Sequence, residues 1–252
     1  MRATRTRPTR VTLPARSRDR HATRARVPSR AWLVDLVLPS RCVSCAAPAR
    51  LLCTRCERSL RRLAPPWCAR CGSPTVWPVA RCRECAGRRL AFETARSAVA
   101  YAGAARSLVA AWKEHGLRRT ADLAARLVVE SLPRPAVEAV TYVPPDPERL
   151  LRRGHHPARQ LARMLARRWE LDLVEVLVRR GDAVRQAGLD RRQRARNVRD
   201  AFVAAAGSPA GVLLVDDVYT TGATAGAASS ALRRAGADRV EVVTFARTVR
   251  MG

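Results

Sequence analysis

From about residue 91 onward, short apolar runs alternate with stretches of helical period. The pattern predicts strands over 97–101 and 137–143, and helices over 104–114 and 121–132. Thr120 stands where it would cap the second of these helices. A third helix is expected over 157–169, with Leu161, Met164, Leu165 and Arg168 near one face. Residues 212–215, Val-Leu-Leu-Val, are continuously apolar, as in a central parallel strand covered on both sides. A helix of small residues over 223–235 runs into Gly236, a residue suited to a C-terminal cap. Residues 239–246 alternate again and place Val240, Val242 and Thr244 on one face of a final strand. Strand, helix and strand in that order imply right-handed crossovers and a parallel sheet, an α/β fold.

Before that point the texture differs. Residues 1–30 show no apolar period and are rich in Arg, Thr, Ser and Pro, which predicts a disordered basic arm. The first packable segment, 31–38, follows at once. The arm lacks the apolar core of a secretory signal. Its Arg-rich, acid-poor composition is shared by organellar transit peptides, and a misassigned start codon would produce the same stretch. The division expected is an arm over 1–30, a cysteine-rich module over 31–90, and an α/β domain over 91–252.

Composition narrows the classes further. In 252 residues the apolar fraction is 47%, enough for a real core. No uncharged run exceeds fifteen residues, short of the roughly 18 that a membrane span requires, so no membrane insertion is expected. The formal charge is +27, which invites a nucleic-acid reading. The arm, however, holds ten arginines against one aspartate, leaving +18 for the rest. Every basic residue but Lys113 is an arginine, and alanine is abundant, as in a GC-rich genome. The charge therefore permits a nucleic-acid partner without requiring one.

The eight cysteines fall into four Cys-x-x-Cys pairs within 44 residues: Cys42/Cys45, Cys53/Cys56, Cys68/Cys71 and Cys82/Cys85. Two thiolates so spaced curl around one metal ion, and two such knuckles complete a tetrahedral site. Four knuckles predict two structural Zn²⁺ ions in a double zinc ribbon. Disulfides would need an oxidising compartment, and with no export signal a cytoplasmic location is expected. Three pairings of the knuckles are open. Trp67 and Trp77, between knuckles, are placed either to stack on bases or to pack the ribbon on its neighbour.

The chemistry of the second half concentrates where the central strand ends, in Val215-Asp216-Asp217-Val218-Tyr219-Thr220-Thr221-Gly222-Ala223-Thr224. Ligands of open α/β sheets bind beyond the carboxyl ends of strands. Asp216 and Asp217 point to opposite sides and address different partners. Thr220, Thr221, Gly222 and Thr224 make a hydroxyl- and amide-rich loop ahead of a helix N-terminus, which suits a phosphate. Adjacent carboxylates would repel that phosphate unless they grip sugar hydroxyls or a divalent cation. A phosphorylated sugar arriving with Mg²⁺ follows. A nucleoside-triphosphate P-loop is excluded, because there is no Gly-x-x-x-x-Gly-Lys.

Residues 212–224 resemble the phosphoribosyl-diphosphate motif of type I phosphoribosyltransferases. With the cysteines, with Trp112-Lys113-x-x-Gly116, with Val143-Pro144-x-x-Pro147 running to Arg153-Gly154, and with Gln186-x-Gly188-Leu189 running to Arg194-x-x-Asn197-Val198, the chain resembles the ComF family over roughly 32–249. The resemblance implies a type I phosphoribosyltransferase-like sheet behind a double zinc ribbon, and a link to DNA uptake or processing. It implies that Asp216 and Asp217 bind ribose hydroxyls, directly or through Mg²⁺, and stabilise an oxocarbenium-like transition state as pyrophosphate leaves. Thr220, Thr221, Gly222 and Thr224 would cradle the 5′-phosphate, Lys113 and Arg153 the pyrophosphate, and 180–198 would form a closing loop. The chain departs from the family after Gly154, where His155-His156-Pro157 replaces Phe-Asn-Gln, and at Asp190-Arg191-Arg192-Gln193, where Ser-Arg-x-Glu is usual. The paired histidines suit a proton donor, a metal site or an exposed helix start. Three functions follow: a phosphoribosyl transfer enzyme, a single-stranded-DNA-processing factor working with DNA-processing proteins, and a regulatory sensor of the sugar phosphate without turnover.

Overall fold

A computed structural model describes residues 40–49, 51–116, 118–180 and 201–249. The basic arm, the segment 31–38 and all but the first residue of the expected closing loop 180–198 lie outside the described residues. The ribbon segment and the sheet belong to one compact unit.

After a short helix α1 (Thr54–Arg58) in the ribbon, the chain runs β1 (Thr94–Ala100), α2 (Gly103–His115), α3 (Arg118–Ser131), β2 (Ala139–Tyr142), α4 (Pro147–Arg153) and α5 (Pro157–Trp169). It continues through β3 (Asp172–Leu173), β4 (Leu177–Arg179), β5 (Phe202–Ala204), β6 (Gly211–Tyr219), α6 (Ala223–Arg234) and β7 (Arg239–Arg247). Five strands form a sheet in the order β1-β7-β6-β2-β3, every neighbouring pair parallel. β4 and β5 pair antiparallel as a separate ribbon. This is the α/β, phosphoribosyltransferase-like arrangement that the sequence led us to expect, preceded by a double zinc-binding module.

The apolar run of β6 takes the central place and serves both faces. Leu213 and Val215, with Val243 and Phe245 of β7, meet Leu108 and Trp112 of α2, Leu127 and Val128 of α3, and Leu161 and Leu165 of α5. Val212 and Leu214, with Val240 and Val242, meet Ala228 and Leu232 of α6. Each leucine buried in this way contributes about 1.5–3 kcal/mol, so the sheet is fixed from both sides.

Two local expectations are corrected. Gly116, in the left-handed region at φ 61, ends α2, and α3 starts already at Arg118. Thr120 is therefore a buried residue of the first turn of α3 and not its cap. On α5 the buried face is Leu161, Ala162, Leu165, Ala166 and Trp169. Arg168 leaves that face and pairs with Asp122 of α3 at 2.5 Å. Glycine at 116 has a second cause, because a Cβ there would meet His155 Nδ1 at 2.8 Å.

Candidate functional site

The cysteines settle into two groups, Cys42, Cys45, Cys53, Cys56 and Cys68, Cys71, Cys82, Cys85, whose ligand atoms all lie within 4.8 Å of one another. Consecutive knuckles therefore pair, which resolves the choice that spacing leaves open. The sulfurs of Cys45 and Cys53 are 3.6 Å apart, those of Cys68 and Cys85 3.6 Å, and those of Cys71 and Cys82 3.5 Å. A tetrahedron with Zn–S bonds of about 2.3 Å has edges of about 3.8 Å, whereas a disulfide needs about 2.05 Å. Proton binding agrees with a cation site. The Cys45 thiol and burial push Cys56 up to about 12, and burial pushes Cys71 upward too. Four thiolates coexist there only with a cation between them, so both groups fit structural Zn²⁺.

The two groups dock on different faces of the sheet. Cys42 and Cys56, with Leu51 and Leu60, join the core under α2 and α3. Glu57 accepts from Arg126 of α3 at 2.6 Å. Cys68, Cys71 and Cys85 join the opposite core with Phe92 and Tyr219. Trp67 is half-buried and carries the Arg96 guanidinium 5.2 Å from its ring centre, so it packs. Trp77 is 66% exposed.

At the carboxyl end of β6 the Asp216 carboxylate accepts from the Asp217 amide at 2.9 Å. Burial, and then the neighbouring Asp217 charge, push Asp216 up to about 8. Asp217 faces the other way and forms an ion pair with Lys113 of α2 at 2.9 Å. The chain's one lysine thus meets one of its two paired aspartates. β6 ends at Tyr219, and Gly222 at φ 72 turns the chain into α6. Thr220, Thr221 and Thr224 are exposed around this buried glycine, and Thr221 Oγ1 accepts from the Ala223 amide at 3.3 Å. Thr224 already belongs to the first turn of α6, where amides have no partner within the helix.

His155 joins the end of α4 to the end of α2: its ring nitrogens lie 2.7 Å from the Arg153 carbonyl and 2.6 Å from the Trp112 carbonyl. That places Arg153 beside the segment of Lys113, yet the link is its backbone. Its guanidinium makes no ion pair with another described residue. His156 Nδ1 accepts from the Arg159 amide at 3.2 Å and so caps α5. Its ring lies edge-on to Tyr142 with centres 5.1 Å apart, and burial lowers its pKa to about 4. The histidine pair is therefore a helix start, as one reading had it, but half-buried rather than exposed.

Three residues that sequence reasoning did not single out complete the surroundings of the loop. Arg88, just after the last knuckle, donates to the Thr221 carbonyl at 2.6 Å. Arg247, the last residue of β7 and 1% exposed, donates to the Cys71 carbonyl at 2.5 Å and to Glu84 at 2.8 Å. Its guanidinium also lies 5.0 Å from the centre of the Tyr219 ring. Glu84 lies inside the Cys82–Cys85 turn, and its other oxygen accepts from Ser73 at 3.0 Å. A Cβ at Gly222 would fall on the Tyr219 hydroxyl, so only glycine allows the loop to close over that ring.

Residues 33–86 match the double zinc ribbon domain. Over most of its length the chain is 27% identical, across 223 residues, to Competence protein F of Haemophilus influenzae, covering 82% of this chain and 96% of that protein. It is also 27% identical over 230 residues to the DNA utilization protein YhgH of Salmonella typhi, covering 85% of this chain and all of the relative. Both similarities therefore extend over nearly the whole length of the relatives. In this chain the aspartate pair, Lys113 and the threonine loop come together at one end of the sheet. No described helix is long and apolar enough to cross a membrane.

Proposed function

We propose that this chain binds phosphoribosyl diphosphate with Mg²⁺ at the end of β6 and acts in DNA uptake or processing in the cytoplasm. The observation that carries this reading is the strand-end carboxylate pair followed directly by an exposed threonine loop, folded on Gly222 at the start of a twelve-residue helix. The loop amides and hydroxyls receive the 5′-phosphate. Asp216 and Asp217 take the ribose hydroxyls or the cation, which supplies charge neutralisation for the diphosphate. Asp216, held protonated near pH 7 in the free protein, then ionises. Lys113 exchanges Asp217 for the diphosphate, with Arg153 alongside. If turnover occurs, a nitrogen nucleophile displaces pyrophosphate at the anomeric carbon, and the two carboxylates stabilise the positive charge that develops. The printed names of the relatives, a competence protein and a DNA utilization protein, support the wider role.

A second reading, a single-stranded-DNA-binding or regulatory protein that senses the sugar phosphate without turnover, rests on a different observation. Arg159, Arg163 and Arg167 stand one turn apart along α5 and line a cavity of about 730 Å³ that reaches His155 and His156. Such a row suits successive phosphates of a strand.

The test is thermal stabilisation by phosphoribosyl diphosphate with and without Mg²⁺. A cation-dependent shift is expected, lost in Asp216→Asn/Asp217→Asn. No shift in the parent protein removes both the enzyme and the sensor readings. Lys113→Arg should weaken binding, because the longer planar fork does not reproduce the point contact on Asp217. Binding of a single strand, measured in parallel against salt, separates the second reading from the first.

A further inference from the structure

The second zinc group and the threonine loop lie more than 130 residues apart in sequence, yet two separate chains of contact join them. In one, Arg88 follows the Cys82–Cys85 turn, is tied to it by its amide on the Cys85 carbonyl at 3.2 Å, and donates to the Thr221 carbonyl. In the other, Glu84 within the turn holds Arg247, Arg247 covers the Tyr219 ring, and the Tyr219 hydroxyl lies under Gly222. Arg247 also reaches the first half of the same zinc group through the Cys71 carbonyl. A guanidinium this deeply buried is costly unless its donors are matched, and an aliphatic side chain would fill the same space. The planar fork does what an aliphatic chain does not: it fixes two knuckles and one ring in a single geometry. Among the described residues the first zinc group makes no such connection, and Cys56 and Glu57 act on α3.

We infer that the second zinc knuckle is a positioning device for the phosphate loop, with Arg247 and Arg88 as its positioning residues. The Cys82–Cys85 turn, closed on its metal, holds Tyr219 and Thr221 so that the loop stands ready before any phosphate arrives. Binding then does not have to order the loop. Loss of metal from Cys68, Cys71, Cys82 and Cys85 loosens the loop, and loss from the first group does not. The inference rests on the phosphate-binding reading above only for what the loop receives, not for how the loop is held.

The experiment uses the full chain, loaded with zinc, as Arg88→Gln, as Arg247→Met/Glu84→Gln, and as Arg126→Gln for a control on the first ribbon. The double substitution avoids leaving the half-buried Glu84 carboxylate without its partner. Hydrogen exchange of a peptide covering 219–225 is measured without ligand, together with metal content and protection of 212–215. Both second-ribbon variants should exchange about tenfold faster in the loop, the order expected for one lost charge-assisted hydrogen bond or ring contact, with metal content and β6 protection intact. The Kd for phosphoribosyl diphosphate with Mg²⁺ should rise by a similar factor. Unchanged loop exchange in Arg88→Gln, which alone decides if the double variant fails to fold, overturns the inference. So does an equal rise in Arg126→Gln. Faster exchange in a protein whose parent form binds no phosphoribosyl diphosphate keeps the positioning role and removes the ligand.

Discussion

The two cysteine groups have the same ligands, similar sulfur spacing and adjacent sequence, and they are put to different uses. The first group is a wedge: Cys42 and Cys56 sit in the core beneath α2 and α3, and its charged contacts end on Arg126. The second is a brace: its buried cysteines adjoin Tyr219, and its turns reach Thr221 and Arg247. What distinguishes them is which face of the sheet each covers. The face with α2, α3 and α5 has broad helices to rest on. The opposite face has α6, whose N-terminus is the loop itself, so anything docked there touches the site.

That contrast can be broken in several places. The largest effect is expected from Cys56→Ser, which should release one metal and cost about 3 kcal/mol or more, measured by denaturant unfolding with metal counting. A loss below about 1 kcal/mol would mean that the wedge is not part of the core. Next comes Gly222→Ala on the other face. Strain at φ 72 and collision with Tyr219 should cost about 1–3 kcal/mol, leave both metals in place, and abolish stabilisation by phosphate ligands. His156 sharpens the helical face by pH. Its folded pKa of about 4 lies below the ordinary value near 6.5, so the folded state binds fewer protons between these values. The stability it supports is complete above about pH 6.5 and falls as pH drops toward 4, by about 1–3 kcal/mol after allowing for its residual exposure. His156→Asn keeps a cap and should flatten that slope in a pH series of melts. The smallest effect belongs to Arg126→Ala, whose exposed pairs with Glu57 and Glu130 are worth about 1 kcal/mol or less. A loss several times larger would show that the wedge depends on charge and not on burial.

Much of this was legible in the sequence, and unevenly so. The sheet followed from apolar runs such as 212–215, and the cysteines and the Asp-Asp-x-x-Thr-Thr-Gly segment are dense local signals. The zinc pairing was not legible, because it depends on how the knuckles fold over one another. Thr120 was misplaced because a capping residue and a buried threonine of the first turn look alike in one dimension. Arg168 was misplaced because helical period alone does not tell a core position from an arginine reaching Asp122. Arg88 and Arg247 were hidden among 47 arginines, and their partners lie 133 and 176 residues away. Glu84 was hidden by its neighbours, since within a Cys-x-x-Cys turn the intervening residues look like spacers. The only weak sign was that Tyr219 and Gly222 stand three residues apart at the strand end.

The order of strands has a consequence for how the chain is made. β1 leaves the ribbon and lies at the sheet edge, where its one partner strand is β7 and its outer edge takes ribbon backbone at 61–63 and 70; Ser97 meets Thr244 across 147 residues. On a ribosome the cysteine segment and β1 emerge early and find no sheet to join. They wait until nearly the whole domain has been synthesised, because the strand that receives them, and the arginine that latches the second ribbon, come last among the described elements. Contacts of such long separation form slowly. During that interval the eight thiols are the part of the nascent chain most in need of an early metal, and β1 is the part most open to pairing with a wrong strand.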